Sequence, residues 1–241
     1  MNNLFKKPIF WIIFLGAIAI IGAILTIGKD SPAVEEDVAL RVNNAVFSYG
    51  DFNVIAGQIA QELQMYGMQP TKEEIKNEAV NRIIQQVLLE GYAGERGIEA
   101  TEEEIDRHLS ELAILYGMES EEEFINQLKS QGFETAEEVR NLLRTEIKIS
   151  KLIDLYSEDV NVTDQELRDA YQDYVGQIEE TDQEIMPFKE AEEGLKDGII
   201  QERVMSMLLS KIEELKKGAK IEIFIKEDDL EVDIIIMDGA E

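Results

Sequence analysis

The side chains able to do chemistry are few, and their types limit what that chemistry could be. The 241-residue chain has one histidine, His108, and no cysteine. Thiol chemistry and disulfides are excluded, and so are His-rich zinc sites and most Ser/His schemes. His108 stands in Glu104-Ile105-Asp106-Arg107-His108, a setting that suits a histidine on a helix surface better than a general base. Acids are plentiful. Glu102-Glu103-Glu104 and Glu121-Glu122-Glu123 could attract cations, but each run falls in the first turn of an expected helix, where carboxylates offset the positive end of the dipole. Asp228-Asp229 with Glu231 and Asp233 lacks the Asp-x-Asp-x-Asp-Gly order of a calcium loop. No Gly-rich phosphate loop and no Gly-x-Ser-x-Gly elbow is present. Catalytic residues, metal and cofactor are therefore all expected to be absent.

The elements that would position any binding surface are marked by one repeated device. Ser or Thr followed three positions later by an acid forms a capping box, in which hydroxyl and carboxylate reciprocally satisfy unpaired N–H groups. It occurs at Thr71 and Glu74, Thr101 and Glu104, Ser120 and Glu123, Thr135 and Glu138, and Thr163 and Glu166, with Ser48 and Asp51 as a weaker form. Apolar stripes at helical spacing follow these starts: Phe52, Ile55, Ile59 and Leu63; Ile75, Ala79, Ile83 and Val87; Ile105, Leu109 and Leu112; Val139, Leu142, Ile149 and Ile153. Gly67, Gly97, Gly117 and Gly132 stand where C-terminal caps would. Tyr66-Gly67-Met68 and Tyr116-Gly117-Met118 recur, and both read as helix stops with a hydrophobic contact after the glycine, with an internal duplication as the alternative.

Strands are expected only at the two ends of this helical array. Val38–Val42 and Ala45–Phe47 flank Asn43-Asn44 and read as a hairpin. Leu167, Tyr171 and Tyr174 mark a short helix, residues 175–187 a connection, and Phe188 to about Lys217 a long helix stopped by Gly218. Ile221–Ile225 alternates like a half-buried strand. An isolated hairpin is marginal, so the C-terminal strand is expected to pair with it. Residues 226–241 form an acidic tail with an apolar island, Ile234–Met237, expected as a weak strand, with a disordered segment as the alternative.

Lys6 and Lys7 precede an apolar stretch, Ile9–Ile27. At about 1.5 Å per residue it reaches about 28 Å, close to the hydrocarbon thickness of a bilayer. A cleaved signal peptide is the alternative, but its apolar core would be shorter. The expectation is a cytoplasmic N-terminus and membrane anchor over 1–28, a tether over 29–37, and the rest outside the cytoplasm, in a periplasm or at the outer face of the cell membrane. The net charge of −28 becomes −30 beyond the anchor, because Lys6 and Lys7 are the only charged residues before Lys29. Such a surface repels phosphate backbones, which argues against nucleic acid.

The order of these pieces resembles the SurA N-terminal chaperone domain family. The residues that carry it are Val38–Phe47; Leu88–Ile98 with Thr101-Glu102-Glu103-Glu104-Ile105; Val162–Leu167 leading to Tyr171 and Tyr174; and Pro187–Lys217 running to Ile221-Glu222-Ile223. The layout is that of PpiD-like and PrsA-like membrane-anchored foldases, with two departures. Asn44 replaces the glycine of the usual Val-Asn-Gly turn, and residues 175–187 stand where a parvulin prolyl-isomerase domain would be inserted. The resemblance implies a mainly α domain over 38–225, with a small sheet pairing hairpin and C-terminal strand. It also implies a chaperone that holds unfolded or newly exported polypeptides without isomerase activity, with export machinery or self-association as further partner classes. Candidate client-binding residues are Met65, Tyr66, Met68, Tyr116, Met118, Phe124, Phe133, Tyr171 and Tyr174. A scaffold subunit of a membrane complex and a degenerate prolyl isomerase are the alternatives.

Overall fold

The computed structural model describes residues 37–130, 133, 135–179 and 184–231. Among these, the order of elements is β1 (Val38–Val42), β2 (Ala45–Ser48), α1 (Tyr49–Met65), α2 (Lys72–Glu95), α3 (Glu102–Leu115), α4 (Glu121–Ser130), α5 (Ala136–Glu158), α6 (Asp164–Glu179), α7 (Phe188–Gly218) and β3 (Ile221–Ile223). The architecture is mainly helical with one small antiparallel sheet. No helix among the described residues is long and apolar enough to cross a membrane. The anchor expected at 9–27 and the apolar island Ile234–Met237 lie outside the described residues.

The sheet ties the two ends of the described chain together. Strand β1 pairs with β2 through Arg41↔Val46 and Val42↔Ala45, and with β3 through Leu40↔Ile223 and Val42↔Ile221. Asn43 takes φ 54° at the hairpin turn, a conformation asparagine tolerates. Asn44 has no positive φ, so that position does not require glycine. Asn43 also fixes the third strand: its N–H donates to the Lys220 carbonyl at 2.7 Å, and its Oδ1 accepts from the Lys220 N–H at 3.0 Å.

All six marked positions start helices. Ser48, Thr71, Thr101 and Thr163 form reciprocal boxes with Asp51, Glu74, Glu104 and Glu166. Thr135 Oγ1 accepts from the Glu138 N–H. Ser120 caps the Glu123 N–H, while the Glu123 carboxylate takes the N–H of Glu119, one residue earlier than the box requires. Caps of this kind contribute about 0.5–2 kcal/mol each.

Two apolar clusters hold the helices. The larger joins β1, β2 and α1 to α2, α3, α4 and the first half of α5, with Leu40, Phe47, Phe52, Ile59, Ile83 and Leu143 at its centre. The smaller packs Leu89 and Ala93 of α2 and Ile149, Leu152 and Ile153 of α5 against Val204, Leu208 and Ile212 of α7. The packed body runs further than the expected boundary at 225. Leu230 is only 2% exposed and belongs to the larger cluster. Its carbonyl accepts from Lys72 Nζ at 2.8 Å, and the next N–H, of Glu231, donates to Asn53 Oδ1 at 2.9 Å. Helix α6 continues to Glu179, into the stretch read from the sequence as connection.

Charges line the seam between α3 and α5. Arg140 bonds Glu102 and Asp106 at 2.6 and 2.7 Å, Arg144 bonds Glu102 at 2.8 Å, and Lys151 bonds Glu104 at 2.6 Å. The Lys151 ammonium, with the Thr101 N–H, holds the Glu104 carboxyl down at about 2. The Thr163 cap, with Arg203, does the same for Glu166. A carboxyl depressed on folding stabilises above its ordinary value of 4.5, and that contribution is lost as the pH falls through about 2. The urea midpoint is therefore expected to fall between pH 4.5 and 2. Glu104→Gln should flatten part of that slope; a variant slope identical to the wild type would contradict the assignment.

Candidate functional site

Apolar side chains stay open to solvent where two helices stop. At the end of α1, Gly67 takes φ 74°, and Met68 N–H donates to the Leu63 carbonyl at 3.0 Å while Gly67 N–H donates to that of Gln64 at 2.9 Å. At the end of α3, Gly117 takes φ 71°, and Met118 and Gly117 N–H groups donate to Ala113 and Ile114 carbonyls at 2.9 and 3.0 Å. Both are Schellman caps, in which a left-handed glycine lets two late carbonyls find donors. The recurrence of Tyr-Gly-Met is thus accounted for by this shared turn.

The residue before each glycine, Tyr66 or Tyr116, is left outward, and so are Met65 and Met68. Met65 is 81% exposed, and Tyr66, Tyr116 and Met68 are each more than half exposed. Large apolar side chains left this open mark contact surfaces when they are grouped. Sequence reasoning missed Ile114 and Leu115, which are exposed beside Tyr116. A signal was available: Leu112-Ala113-Ile114-Leu115-Tyr116 is apolar throughout, and a helix that buries one face must expose the rest of such a run.

Five of the nine expected residues have other surroundings. Phe124 and Phe133 are 5% and 7% exposed and belong to the larger core, so they pack the fold and offer no open surface. Met118 is half-buried against the same core, as the residue after a Schellman glycine commonly is. Tyr171 and Tyr174 clamp the start of α7. Tyr171 Oη donates to the Met186 carbonyl at 2.9 Å, Met186 N–H donates to Tyr174 Oη at 3.1 Å, and the Phe188 ring stands edge-on to Tyr171 at 5.2 Å. One contact links the open and buried groups: the Tyr116 ring stacks on Phe124 with centroids 5.7 Å apart.

His108 Nε2 lies 3.4 Å from the Glu146 carboxylate, which holds the imidazole above its ordinary value, while burial pushes Glu146 up. The pair bridges α3 and α5. Among the described residues no three His, Asp or Glu side chains converge as metal ligands would. Two open clefts, of about 320 and about 430 Å³, are lined by residues of the α5–α6 connection with α7, and by Gly97–Glu99 with the end of α5. None of the nine expected residues lines either cleft.

Comparison with known proteins places this arrangement. The chain is similar to the Trigger factor of Agathobacter rectalis, 32% identical over 104 residues, which is 42% of this chain and 21% of the relative. The chain therefore spans about a fifth of the length of that curated relative. A family described as the SurA-like N-terminal domain matches residues 1–153. This match covers more than half of the chain, and the chain belongs to the family of SurA-like N-terminal domains.

Proposed function

We propose that this protein is a membrane-anchored holdase: it binds unfolded or newly exported polypeptides outside the cytoplasm and catalyses no reaction. The observation that carries the reading is the open apolar surface at two capped helix ends, Met65, Tyr66 and Met68 on one and Ile114, Leu115 and Tyr116 on the other. Family membership supports polypeptides as the ligand. Side chains of Met and Tyr suit varied partners, because a thioether adapts its shape and a tyrosine offers both a ring and a hydroxyl. Binding of this kind needs no nucleotide. The anchor at 9–27, read from the sequence, would keep the domain beside the membrane where exported chains emerge.

The full chain in lipid nanodiscs is expected to suppress light scattering by a chemically unfolded model protein at near-stoichiometric ratios. A crosslinkable probe at Met68 should capture many partners in intact cells. Capture of one stoichiometric partner with no suppression would favour a scaffold, and turnover of a proline peptide would favour an enzyme. Membrane fractionation tests the anchor: recovery of the protein in the soluble fraction would remove it from the reading.

A further inference from the structure

The two apolar ends differ in their charge. Around the end of α1, residues 54–71 carry one acid, Glu62, and Arg82 holds it at 2.6 Å. The corner between α3 and α4 is different. From His108 to Leu128 there is no Lys or Arg, and the segment carries Glu111, Glu119, Glu121, Glu122 and Glu123. Glu111 approaches Arg107 and His108. None of the other four is paired with a cation among the described residues. On the opposite end of α3, by contrast, Glu102, Glu104 and Asp106 are all bonded to cations of α5. The helix dipole of α4 offsets part of the corner's charge and leaves the rest facing solvent.

Set among these carboxylates are Ile114, 76% exposed, Leu115, 62% exposed, and Tyr116, 65% exposed. The Tyr116 ring is backed on one face by the buried Phe124 ring, 5.7 Å away and inclined by 22°. At 65% exposure the Tyr116 ring keeps surface open to solvent. A tyrosine face attracts ammonium and guanidinium groups, and nearby carboxylates add to that attraction. A second copy of this chain, with its net charge of −28, would bring like charge to the corner.

We propose, resting on the holdase reading, that the α3–α4 corner selects extended polypeptide segments in which Lys or Arg adjoins aliphatic or aromatic residues. Ile114 and Leu115 take the apolar side chains, and the Tyr116 face with Glu119 and Glu122 takes the cation.

The test uses the full chain in nanodiscs of neutral lipid and three labelled peptides that share their apolar residues and carry Lys, Ser or Glu at the same intervening positions. Fluorescence anisotropy at low salt is expected to show the Lys peptide binding about tenfold more tightly than the Ser peptide, and the Glu peptide more weakly than either. High salt should close most of the gap. The double variant Glu119→Gln/Glu122→Gln should narrow the Lys-over-Ser preference while leaving the Ser peptide's affinity unchanged. Ile114→Ser/Leu115→Ser should weaken all three, and both positions are exposed enough for the fold to tolerate the change. Equal binding of the three peptides would overturn the selectivity and leave the holdase reading standing. A preference that survives Glu119→Gln/Glu122→Gln, or affinities unmoved by Ile114→Ser/Leu115→Ser, would overturn the assignment to this corner. Binding of none of the peptides would overturn the holdase reading as well.

Discussion

Phe52→Ala is expected to destabilise the protein by about 3–5 kcal/mol, through lost transfer energy and the cavity left behind. Phe52 is fully buried near the start of α1, in the cluster that joins the sheet to the helices. Its helix begins at the Ser48 cap directly after β2, and the close-packed cluster that holds the ring leaves its neighbours little freedom to fill the space. A domain of this size has about 5–15 kcal/mol in total, so the loss is a large fraction of it. Urea denaturation followed by circular dichroism should show a lower midpoint with an unchanged slope. The open residues provide the contrast. Met65→Ala, at a site 81% exposed, should shift the midpoint by no more than about 0.5 kcal/mol. A Phe52→Ala midpoint within that range would mean that the sheet does not pack on α1 as described.

Phe52 also shows why so much of the fold was legible. It heads a stripe of apolar residues behind a capping box, and both signals are local: they depend on residues within a few positions of each other. The same holds for the glycine stops, whose left-handed φ is dictated by the chain itself. The β1–β3 pairing was legible for a different reason, since a lone hairpin and a lone strand each lacked a partner. The binding surface was harder to read. Periodicity says which face of a helix is apolar, and it does not say which neighbours come to cover it. Phe124 and Tyr116 look equally able to meet a client in the sequence, yet α4 folds back against α3 and buries only the first. Ile114 and Leu115 are of the same residue types that fill the core and remain outside, because the buried face of α3 is made by Ile105, Leu109 and Ala113. Leu230 hides in an acidic run, where composition argues for solvent and one side chain overrules it.

Gln86 is the opposite case, a polar residue of a type that mostly sits at the surface. It lies on α2 three residues from both Ile83 and Leu89, and so in the middle of the apolar stripe. Helix α2 is packed by α1, α5, α7 and β1, and Gln86 lies on its covered side, 1% exposed. Its position along the helix is where the larger cluster, containing Ile83 and Ile84, gives way to the smaller one, containing Leu89 and Ala93. Neither Oε1 nor Nε2 has a hydrogen-bond partner among the described residues. Burying an amide unpaired costs about 1–3 kcal/mol. Methionine has nearly the same length, a similar helix propensity and no polar group to satisfy. Gln86→Met is therefore expected to stabilise the protein by about 1–3 kcal/mol, which at a constant slope appears as a higher urea midpoint. Gln86→Leu should gain less, because its branched end must find room that a linear chain already fits. Gln85→Met supplies the control. That residue is only partly buried on the same helix, and its substitution should change little. An unchanged or lowered midpoint for Gln86→Met would mean that the amide is hydrogen-bonded in solution, and that the joint between the two clusters is held by polar contact as well as by packing.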